Sequence, residues 1–476
     1  MLKVFTILLL SLVMVSCALF ESSSTIRQIT LLYTNDEHGW MQGMESGQGA
    51  ANLYALWQSQ EGYTKEGPFL ILSGGDNWTG PAISTWSQGE SMVEVMNAMN
   101  YDASAVGNHE FDFGLEALKL RTKQADYPYL SANIRWKANG RVASDLGILP
   151  FTIKTVDDVR FGIIGLTTLD TPFATNPTHV AALNFIDYEQ SLRETLPYVE
   201  ENDPDILLVI SHVCVSELEP LINNIQDLNI ALVGAGHCNE LVARRIGDTV
   251  LLGGGYHFTA YASARFIFDT ASSELLEITY QANDYRHEPV DDSIKNLVLN
   301  WSGQMEAILS EKIAWLAEPV SSRSNNLRQQ IVDSWLEVDP SADIAITNAG
   351  GIRIDLPAGL IDVGTLVALM PFDNTIIAAT ISGAVLLQAI EEGGRPIIGG
   401  LTRIDEEWLL TQNGEPLIPD QEYRVLINSF MYAGGDNFGV VAQADPDAFD
   451  TGINYRQPFQ DWLKRQASSS NRPLEF

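Results

Sequence analysis

The amino-acid sequence predicts an α/β fold divided into two domains. The chain has 476 residues, more than a single hydrophobic core usually serves, so we expect two cores. Hydrophobic residues make up 45% of the chain and charged residues 19%, which is typical of a globular protein. Short apolar runs that suit β-strands alternate with segments that suit helices, and this alternation favours layered α/β domains.

The chain is strongly acidic, with a formal net charge of −33 at pH 7. A surface of this sign repels nucleic acids and anionic membranes, so neither is expected as a partner, and no protein partner is predicted. High net charge also favours solubility. If the substrate is an anion, its binding site must overcome this field locally, with metal ions or with arginines.

Residues 1–26 indicate an export signal followed by a tether. Lys3 precedes an apolar run over residues 4–15, which is too short to span a bilayer. The segment Met14-Val15-Ser16-Cys17 resembles a bacterial lipobox, whose cysteine is lipidated and becomes the mature N-terminus. The resemblance implies an exported protein, in the periplasm or at the cell surface, that touches the membrane only through a lipid on Cys17. The alternative is an ordinary cleaved signal peptide.

Residues 27–290 are predicted to form the first α/β domain. Ligand sites in such folds lie beyond the carboxyl ends of the strands, and several of the strand-like runs continue directly into Asp, Asn or His. The clearest runs are 29–33, 69–73, 161–166, 206–211, 230–233 and 264–268.

The second half of the chain is predicted to form a linking helix and a smaller α/β domain. Residues 291–312 contain no proline and carry apolar side chains at helical spacing, which predicts a helix between the two domains. After a polar, turn-like stretch at 318–326, glycine-rich turns separate further apolar runs. The second domain is therefore expected over residues 313–476.

Five short polar segments stand where predicted strands of the first domain end. Each alone is a weak signal, because a lone Gly-Gly-Asp is usually a turn and a lone buried histidine usually belongs to a core. Four of the 7 histidines nevertheless fall in these segments, so the set as a whole predicts a metal site. The segments are Thr34-Asn35-Asp36-Glu37-His38, Gly74-Gly75-Asp76, Gly107-Asn108-His109-Glu110-Phe111-Asp112, Ser211-His212 and Gly236-His237-Cys238-Asn239.

The residue types in these segments suit a centre of two metal ions. Two divalent ions about 3.5–4 Å apart can hold both the attacking and the leaving oxygen of a phosphoryl displacement. Carboxylate, amide and imidazole ligands suit zinc, manganese or similar ions, and one carboxylate must bridge the pair. A further histidine, not bound to metal, can protonate the leaving oxygen while a carboxylate orients its ring.

The order of these motifs resembles the calcineurin-like metallophosphoesterase domain. The second half carries three further motifs, which resemble the C-terminal domain of the 5′-nucleotidase family, a family that includes periplasmic UDP-sugar hydrolases. The resemblance covers almost all of the chain after Arg27 and implies a four-layer first domain, a β-sandwich flanked by helices. The C-terminal motifs are Asn348-Ala349-Gly350-Gly351-Ile352-Arg353, Pro371-Phe372-Asp373-Asn374 and Gly434-Gly435-Asp436.

The resemblance implies a role for each matching residue. Asp36, His38 and Asn239 would bind one metal ion, Asn108, His212 and His237 would bind the other, and Asp76 would bridge them. His109, paired with Asp112, would contact the phosphate or the leaving group while a metal-bound water attacks phosphorus in line. The substrate-binding residues would be Arg353, Arg395, Phe430 and Asp436.

The chain departs from the family pattern at two places. Glu37 is commonly another residue, and we expect it to be a solvated neighbour of the ligands. Near Arg395 the family usually supplies a second aromatic ring, and residues 395–398 contain none. A single aromatic face at Phe430 predicts weak discrimination among nucleotide bases, unless an aromatic from another loop fills the gap.

The resemblance favours a nucleotide phosphomonoesterase whose active site lies between its two domains. A cyclic phosphodiesterase or a nucleotide-sugar pyrophosphatase is the alternative among enzymes, and a surface protein that binds without catalysis is the alternative outside them. Cys214 and Cys238 are the two cysteines that remain after Cys17. In an oxidising compartment they form either a disulfide or two buried free thiols.

Overall fold

The computed structural model describes residues 24–405 and 407–476. The lipobox-like segment, and with it the expected lipid on Cys17, lies outside the described residues. Within the described residues, no helix has both the length and the apolar character needed to cross a membrane.

The described residues form strands and helices in alternation, as an α/β fold requires. The strands are β1 Ile26–Thr34, β2 Phe69–Ser73, β3 Ala103–Ala105, β4 Tyr129–Leu130, β5 Ile134–Trp136, β6 Ile148–Leu149, β7 Phe151–Val156, β8 Val159–Thr167, β9 Leu183–Phe185, β10 Ile206–His212, β11 Leu232–Gly234, β12 Leu241–Ile246, β13 Thr249–Gly254, β14 Ala260–Asp269, β15 Glu274–Asp284, β16 Lys312–Leu316, β17 Ile344–Asn348, β18 Gly359–Asp362, β19 Thr375–Ser382, β20 Pro396–Gly399, β21 Leu401–Ile404, β22 Glu407–Leu410, β23 Glu422–Asn428 and β24 Phe449–Asn454.

All six predicted strand-like runs overlap observed strands, namely β1, β2, β8, β10, β11 and β14. The helices are α1 Ala50–Leu56, α2 Ala82–Thr85, α3 Glu90–Ala98, α4 Gly114–Gln124, α5 Thr171–Ala174, α6 Tyr188–Glu200, α7 Val215–Asn224, α8 Asp292–Leu309, α9 Asn325–Val338, α10 Val363–Leu369, α11 Gly383–Glu392, α12 Ser429–Tyr432, α13 Val440–Ala444 and α14 Gln457–Arg465.

Two sheets face each other in the first part of the chain. The first sheet has the order β15-β14-β1-β2-β3-β4-β6, and its strands from β1 to β6 run parallel. The second has the order β12-β13-β11-β10-β8-β7, with β13, β11, β10 and β8 parallel. Because parallel neighbours end at the same edge, the loops that follow β1, β2, β3, β10 and β11 meet at one place.

Three hydrophobic clusters separate these sheets and their helices into four layers. Leu31, Leu70 and Phe161 belong to the cluster between the two sheets. A second cluster joins the first sheet to α1, α3, α4 and α8, and a third joins the second sheet to α6 and α7. The sheets are therefore buried on both faces, which explains why their strands are nearly continuous apolar runs. The predicted α/β class and four-layer arrangement are confirmed.

The rest of the chain forms a smaller layered unit around a five-stranded sheet. Its order is β20-β17-β23-β19-β24, in which β17 and β23 run parallel and β19 runs antiparallel to β23. Helices α9 and α14 pack against one face, and α11, α12 and α13 pack against the other. Because of these strand directions, the ends of β17 and β23 and the start of β19 lie at one edge.

Helix α8 connects the two parts of the chain. The Asp291 side chain caps its N-terminus by accepting from the backbone N–H groups of Ser293 and Ile294. Ile294, Val298 and Trp301 join the core under the first sheet. The same helix contacts α10 of the second unit, so the two units pack together alongside it.

Candidate active site

A cavity of about 470 Å³ opens between the two units and collects most of the predicted site residues. Asp36 and His212 are fully buried behind this lining, while Arg395 lies outside it. The cavity lies where the sequence predicts the site, between the two parts of the chain. The predicted residues that line it are His38, Asp76, Asn108, His109, Asp112, His237, Asn239, Arg353, Phe430 and Asp436.

The metal-side residues come from the meeting edge of the two sheets. Asp36 and His38 follow β1, Asp76 follows β2 and Asn108 follows β3, while His212 ends β10 and His237 and Asn239 follow β11. Five of these seven residues have a positive φ, which costs free energy for any residue other than glycine. The values are 57° at Asp36, 45° at His38, 56° at Asp76, 71° at His237 and 58° at Asn239. Strained backbone of this kind clusters at functional sites.

Glycines give this strained backbone the space it needs. A Cβ atom on Gly107 would lie 2.1 Å from Asp76 Oδ1, and one on Gly80 would lie 1.9 Å from the backbone oxygen of His38. Neither position can accept a side chain without moving a predicted ligand. These contacts explain why residue 107, which precedes Asn108 in its motif, is a glycine.

Hydrogen bonds fix which ring nitrogen each buried histidine offers to the site. His38 donates from Nδ1 to Thr79 O at 3.0 Å, and His212 donates from Nδ1 to Gly74 O at 2.8 Å. A carbonyl can only accept, so each Nδ1 carries a proton and Nε2 is the ring atom that faces the site. This second hydrogen bond, to a backbone carbonyl, is the usual support of a metal-binding histidine.

The free donor atoms converge into two groups that share Asp76. One group contains His38, Asp76 and His109, the other Asp76, His212 and His237, and within each group the ligand atoms lie within 4.8 Å of one another. Asp36 Oδ1 is buried without a hydrogen-bond partner. An unpartnered buried carboxylate oxygen beside neutral imidazole nitrogens fits a cation, so the residues present suit metal binding.

The charge state of the site also suits metal binding. Burial, followed by the charge of Arg353, holds the pKa of His38 well below its usual value. Burial lowers the pKa of His237 to about 4, with His212 adding to the effect. Burial alone would raise the pKa of Asp76, but the neighbouring His212 and His109 outweigh it and hold that pKa well below its usual value. At neutral pH His38 and His237 are therefore neutral and Asp76 is charged, which are the states that bind metal. Although burial lowers it, the Asp76 carboxylate raises the pKa of His212 to about 9, so His212 would give up a proton on binding metal.

His109 and Asp112 form a pair beside the metal groups. His109 donates from Nδ1 to Asp112 Oδ2 at 2.7 Å. Burial disfavours a charged ring, but the Asp112 and Asp76 carboxylates outweigh burial and raise the pKa of His109. His109 is close enough to His38 and Asp76 to belong to one donor group, and the carboxylates beside it favour the protonated ring that proton donation needs.

The opposite side of the cavity carries three of the predicted substrate-binding residues and one aromatic ring for which the sequence predicted no role. Phe430 and Asp436 follow β23, and Arg353 follows β17. Phe372, just before β19, lines the same cavity and stacks on the His109 ring with centroids 5.6 Å apart. A second aromatic ring therefore lines the cavity, from a loop other than that of Arg395. Its sequence signal is Pro371-Phe372, which by itself indicates no role.

Arg395 lies in a neighbouring cavity of about 540 Å³, which Arg353 and Asp436 also line. Arg323 and Arg328, from the polar stretch before and within α9, complete a set of four arginines there. Among the described residues, none of the four has a carboxylate within 4.0 Å. In so acidic a chain, four arginines around one cavity favour the binding of an anion. Arg323 and Arg328 were missed because nothing local sets them apart from other polar turn residues.

The structure corrects the expectation for Glu37. This residue is 0% exposed, not solvated, and its Oε2 accepts a hydrogen bond from the backbone N–H of Phe258. Burial raises its pKa well above the usual value for a glutamate. The sequence did not predict this burial because the covering residues are distant in the chain. Residues 255–258, after β13, fold over the loop that carries Asp36 and His38.

Cys214 and Cys238 form a disulfide with Cα atoms 5.2 Å apart. Of the two alternatives left by the sequence, the cross-link is therefore the one observed. Cys214 lies two residues after His212, and Cys238 directly follows His237. The disulfide thus joins the two loops that supply one donor group.

Comparisons with known proteins agree with this geometry. A family model for the 5′-nucleotidase C-terminal domain matches residues 316–401. Protein UshA of Salmonella pullorum is 25% identical over 96% of this chain and 93% of UshA. Snake venom 5′-nucleotidase of Crotalus adamanteus is 27% identical over 94% of this chain and 88% of its own length.

A solved structure extends the similarity to the fold. The 5′-nucleotidase precursor from Thermus thermophilus superimposes with a TM-score of 0.80 and 25% sequence identity, over 94% of this chain and 98% of that chain. The chain therefore contains a 5′-nucleotidase C-terminal domain and is homologous, over almost its whole length, to 5′-nucleotidases.

Proposed function

We propose that this protein is an exported, metal-dependent phosphoric ester hydrolase that acts on nucleotides, as a 5′-nucleotidase-like phosphomonoesterase. One observation carries the proposal. Asp76 is shared by two groups of metal-ligand atoms, and the His109–Asp112 pair stands beside them in the same cavity. Two cation sites joined by a carboxylate, with a proton donor next to them, suit phosphoryl transfer.

In this proposal, the chain holds two divalent ions. Asp36, His38 and Asn239 bind one ion, Asp76 bridges, and the other ligands are Asn108, His212 and His237. The ions, zinc, manganese or similar, would polarise the phosphoryl oxygens and offset negative charge on the oxygens that attack and leave. The ligand assignment is supported by the protonated Nδ1 atoms of His38 and His212 and by the unpartnered Asp36 Oδ1.

His109 is proposed to be the proton donor. Asp112 accepts from its Nδ1, which orients the ring and leaves Nε2 to face the leaving oxygen of the substrate. As the bond between phosphorus and that oxygen breaks, His109 Nε2 gives its proton to the departing alkoxide. Both carboxylates near the ring favour its protonated form, which is the form this role needs.

Substrate binding is proposed to fall to the second part of the chain. Arg353 would hold phosphate, Phe430 and Phe372 would offer faces to the base, and Asp436 would accept from the ribose hydroxyls. This division corresponds to a metallophosphoesterase domain at 27–290, a linking helix at 291–312 and a substrate-binding domain at 313–476. The separate hydrophobic cores of the two units support the division.

A pyrophosphatase acting on nucleotide sugars is a second candidate, which the four-arginine cavity favours. That cavity adjoins the metal side through His38 and Asn239, so it is within reach of a second phosphate group. A phosphomonoester has no second phosphate group to place there. The test below therefore includes substrates of both kinds.

Export is supported by the disulfide, which forms in oxidising compartments, and by a relative found in snake venom. A lipid on Cys17, in the periplasm or at the cell surface, remains a proposal from the sequence alone. Mass spectrometry of the mature protein's N-terminal peptide would detect the acyl chains. A free N-terminus beyond residue 17 would contradict the anchor.

The function is tested with p-nitrophenyl phosphate, bis-p-nitrophenyl phosphate, AMP and UDP-glucose, each with and without a chelator. We expect chelator-sensitive turnover of p-nitrophenyl phosphate and AMP. Faster turnover of UDP-glucose than of AMP would favour the pyrophosphatase, and faster turnover of the bis-ester would favour a phosphodiesterase. Binding of AMP without turnover of any substrate would leave only a non-catalytic binding protein.

A further inference from the structure

Residues 174–179, here called the brace segment, lie against the motif that contains the proton donor. The segment begins at the end of α5, beyond strand β8. Ala174 O accepts a hydrogen bond from Asn108 Nδ2 at 3.2 Å, which turns the amide so that Oδ1 faces His212 Nε2, 3.2 Å away. The brace segment thus supports a proposed metal ligand through a backbone carbonyl.

A histidine ties the far end of the brace segment to the same motif. His179 donates from Nδ1 to the backbone oxygen of Phe111 at 2.9 Å. Phe111 itself is fully buried in the core under the first sheet. The segment is therefore anchored at both ends, at Asn108 and at Phe111, and the residues between them have little freedom to move away from Asp112.

Thr175 stands between these anchors and reaches Asp112 directly. Its side chain is part of a residue only 2% exposed, and its Oγ1 donates to Asp112 Oδ1 at 2.9 Å. The other oxygen of the same carboxylate accepts from His109 Nδ1 at 2.7 Å. Each oxygen of Asp112 thus has its own donor, and two donors on opposite oxygens set the plane of the carboxylate.

We infer that Thr175 is a positioning residue for the proton donor: its hydroxyl holds Asp112, and Asp112 holds the His109 ring toward the leaving oxygen. This inference rests on the proposed function. If it is correct, the loss of Thr175 should slow a reaction more when its leaving oxygen needs a proton more. Water forms a bond to phosphorus and releases one proton to solvent, the bond from phosphorus to the leaving oxygen breaks, and His109 gives its proton to that oxygen and regains one from solvent.

The leaving group therefore distinguishes positioning from general damage. The 5′-oxygen of AMP departs as a strongly basic alkoxide and needs the proton, whereas p-nitrophenolate is stable without one. If Thr175 acts through His109, its loss slows AMP and spares p-nitrophenyl phosphate. If Thr175 instead supports the fold or the metal ligands, its loss slows both substrates alike.

Three variants make the test. Thr175→Val keeps the shape and removes the hydroxyl, Thr175→Ser keeps the hydroxyl, and Thr178→Val is the matched control on the same segment. Thr178 is exposed, and its hydroxyl bonds only to Asn176 within the segment. For each variant we would measure kcat and KM with AMP and p-nitrophenyl phosphate, and the bound metal by elemental mass spectrometry.

We expect Thr175→Val to lower kcat for AMP about 10- to 100-fold, the usual effect of losing a supporting hydrogen bond of this kind. Its KM for AMP, its kcat for p-nitrophenyl phosphate and its metal content should stay within about 3-fold of the native values. Thr175→Ser should recover most of the lost kcat, and Thr178→Val should match the native enzyme.

An unchanged kcat for AMP in Thr175→Val overturns the inference, as does an equal loss for both substrates or a failure of serine to restore it. A crystal structure of Thr175→Val gives a readout that needs no activity. We expect Asp112 to turn away from its native plane while the backbone stays in place, and an unmoved carboxylate contradicts the inference. If the native protein turns over neither substrate, it is the proposed function that has failed.

Discussion

The two walls of the main cavity are built in different ways. On the metal side Asp36, His38, Asp76, Asn108 and His212 are each at most 4% exposed, and their loops leave strands that are buried on both faces. His237 is half-buried and Asn239 is exposed. On the substrate side Arg353 and Arg395 are exposed, and Phe430, Phe372 and Asp436 are only half-buried. Most of the metal side is held by packing on every side, whereas the substrate side is held mainly from behind.

This difference separates chemistry from recognition. Ligands of two ions must keep fixed distances, which buried and strained backbone can impose. Groups that recognise a substrate can adjust to it, and an exposed arginine or a half-buried ring has room to do so. Substitutions on the metal side should therefore remove activity outright, and those on the substrate side should mainly change affinity.

The largest effect is expected at Asp76, because both donor groups depend on it. Asp76→Ala should abolish turnover and lower the bound metal, since two cations would face each other without a shared carboxylate. His109→Ala is the matched comparison. It should keep its metal while kcat falls about 10²- to 10⁴-fold. If elemental analysis finds both variants equally poor in metal, the separation of ligand and proton donor is wrong.

A second large effect is expected from the disulfide that joins the metal-side loops. Replacing Cys214 and Cys238 together by serine releases a loop whose ends are 24 residues apart, which should lower the free energy of unfolding by about 3 kcal/mol. Urea unfolding of the two proteins measures this. The variant should also bind metal more weakly, because His212 and His237 lose their common tether. Unchanged stability together with unchanged metal affinity would show that packing alone holds the two loops.

On the substrate side, Phe430→Ala should raise the KM for AMP about 10- to 100-fold, the range found for losing one stacking face. The kcat should change little, because the ring does not touch the reacting atoms. β-Glycerophosphate, which has no ring, should be hydrolysed as before. Phe449→Ala is the control, since Phe449 is 66% exposed and does not line the cavity. An equal fall in kcat for both substrates would contradict the distinction between the metal side and the substrate side.

The smallest effect concerns pH and His257, which lies between the walls beside His38 and Arg353. Burial, followed by Arg353, lowers the pKa of His257 to about 3. In the unfolded chain the pKa of His257 is near its ordinary value of about 6.5. The contribution of His257 to the free energy of unfolding is therefore present above that pH and is lost as the pH falls toward 3.

His257→Phe keeps the contact with Trp40 and removes the titration. Between about pH 8 and about pH 6 the native protein should lose about 1 kcal/mol more unfolding free energy than the variant. Urea unfolding at the two pH values decides this. Equal losses in the two proteins would mean that His257 takes up its proton in the folded state as readily as in the unfolded one.

The same division between the metal side and the substrate side determines how much of the site the sequence could predict. The metal-side residues were found because each sits directly after an apolar strand, and parallel strands bring such positions together at one edge. Phe372, Arg323 and Arg328 were not found, because they meet the site only when the second unit packs against the first. The burial of Glu37 was missed for a similar reason, since the covering residue Phe258 is 221 positions away.

The disulfide has a consequence for when the loops of His212 and His237 become joined covalently. A chain newly made in the reducing cytosol carries Cys214 and Cys238 as separate thiols, and the loops of His212 and His237 are then joined only by packing. Oxidation after export completes the tether. For a nucleotide hydrolase that is exported as proposed, the tether between two proposed metal-binding loops is then completed on the side of the membrane away from the cell's own nucleotide pool.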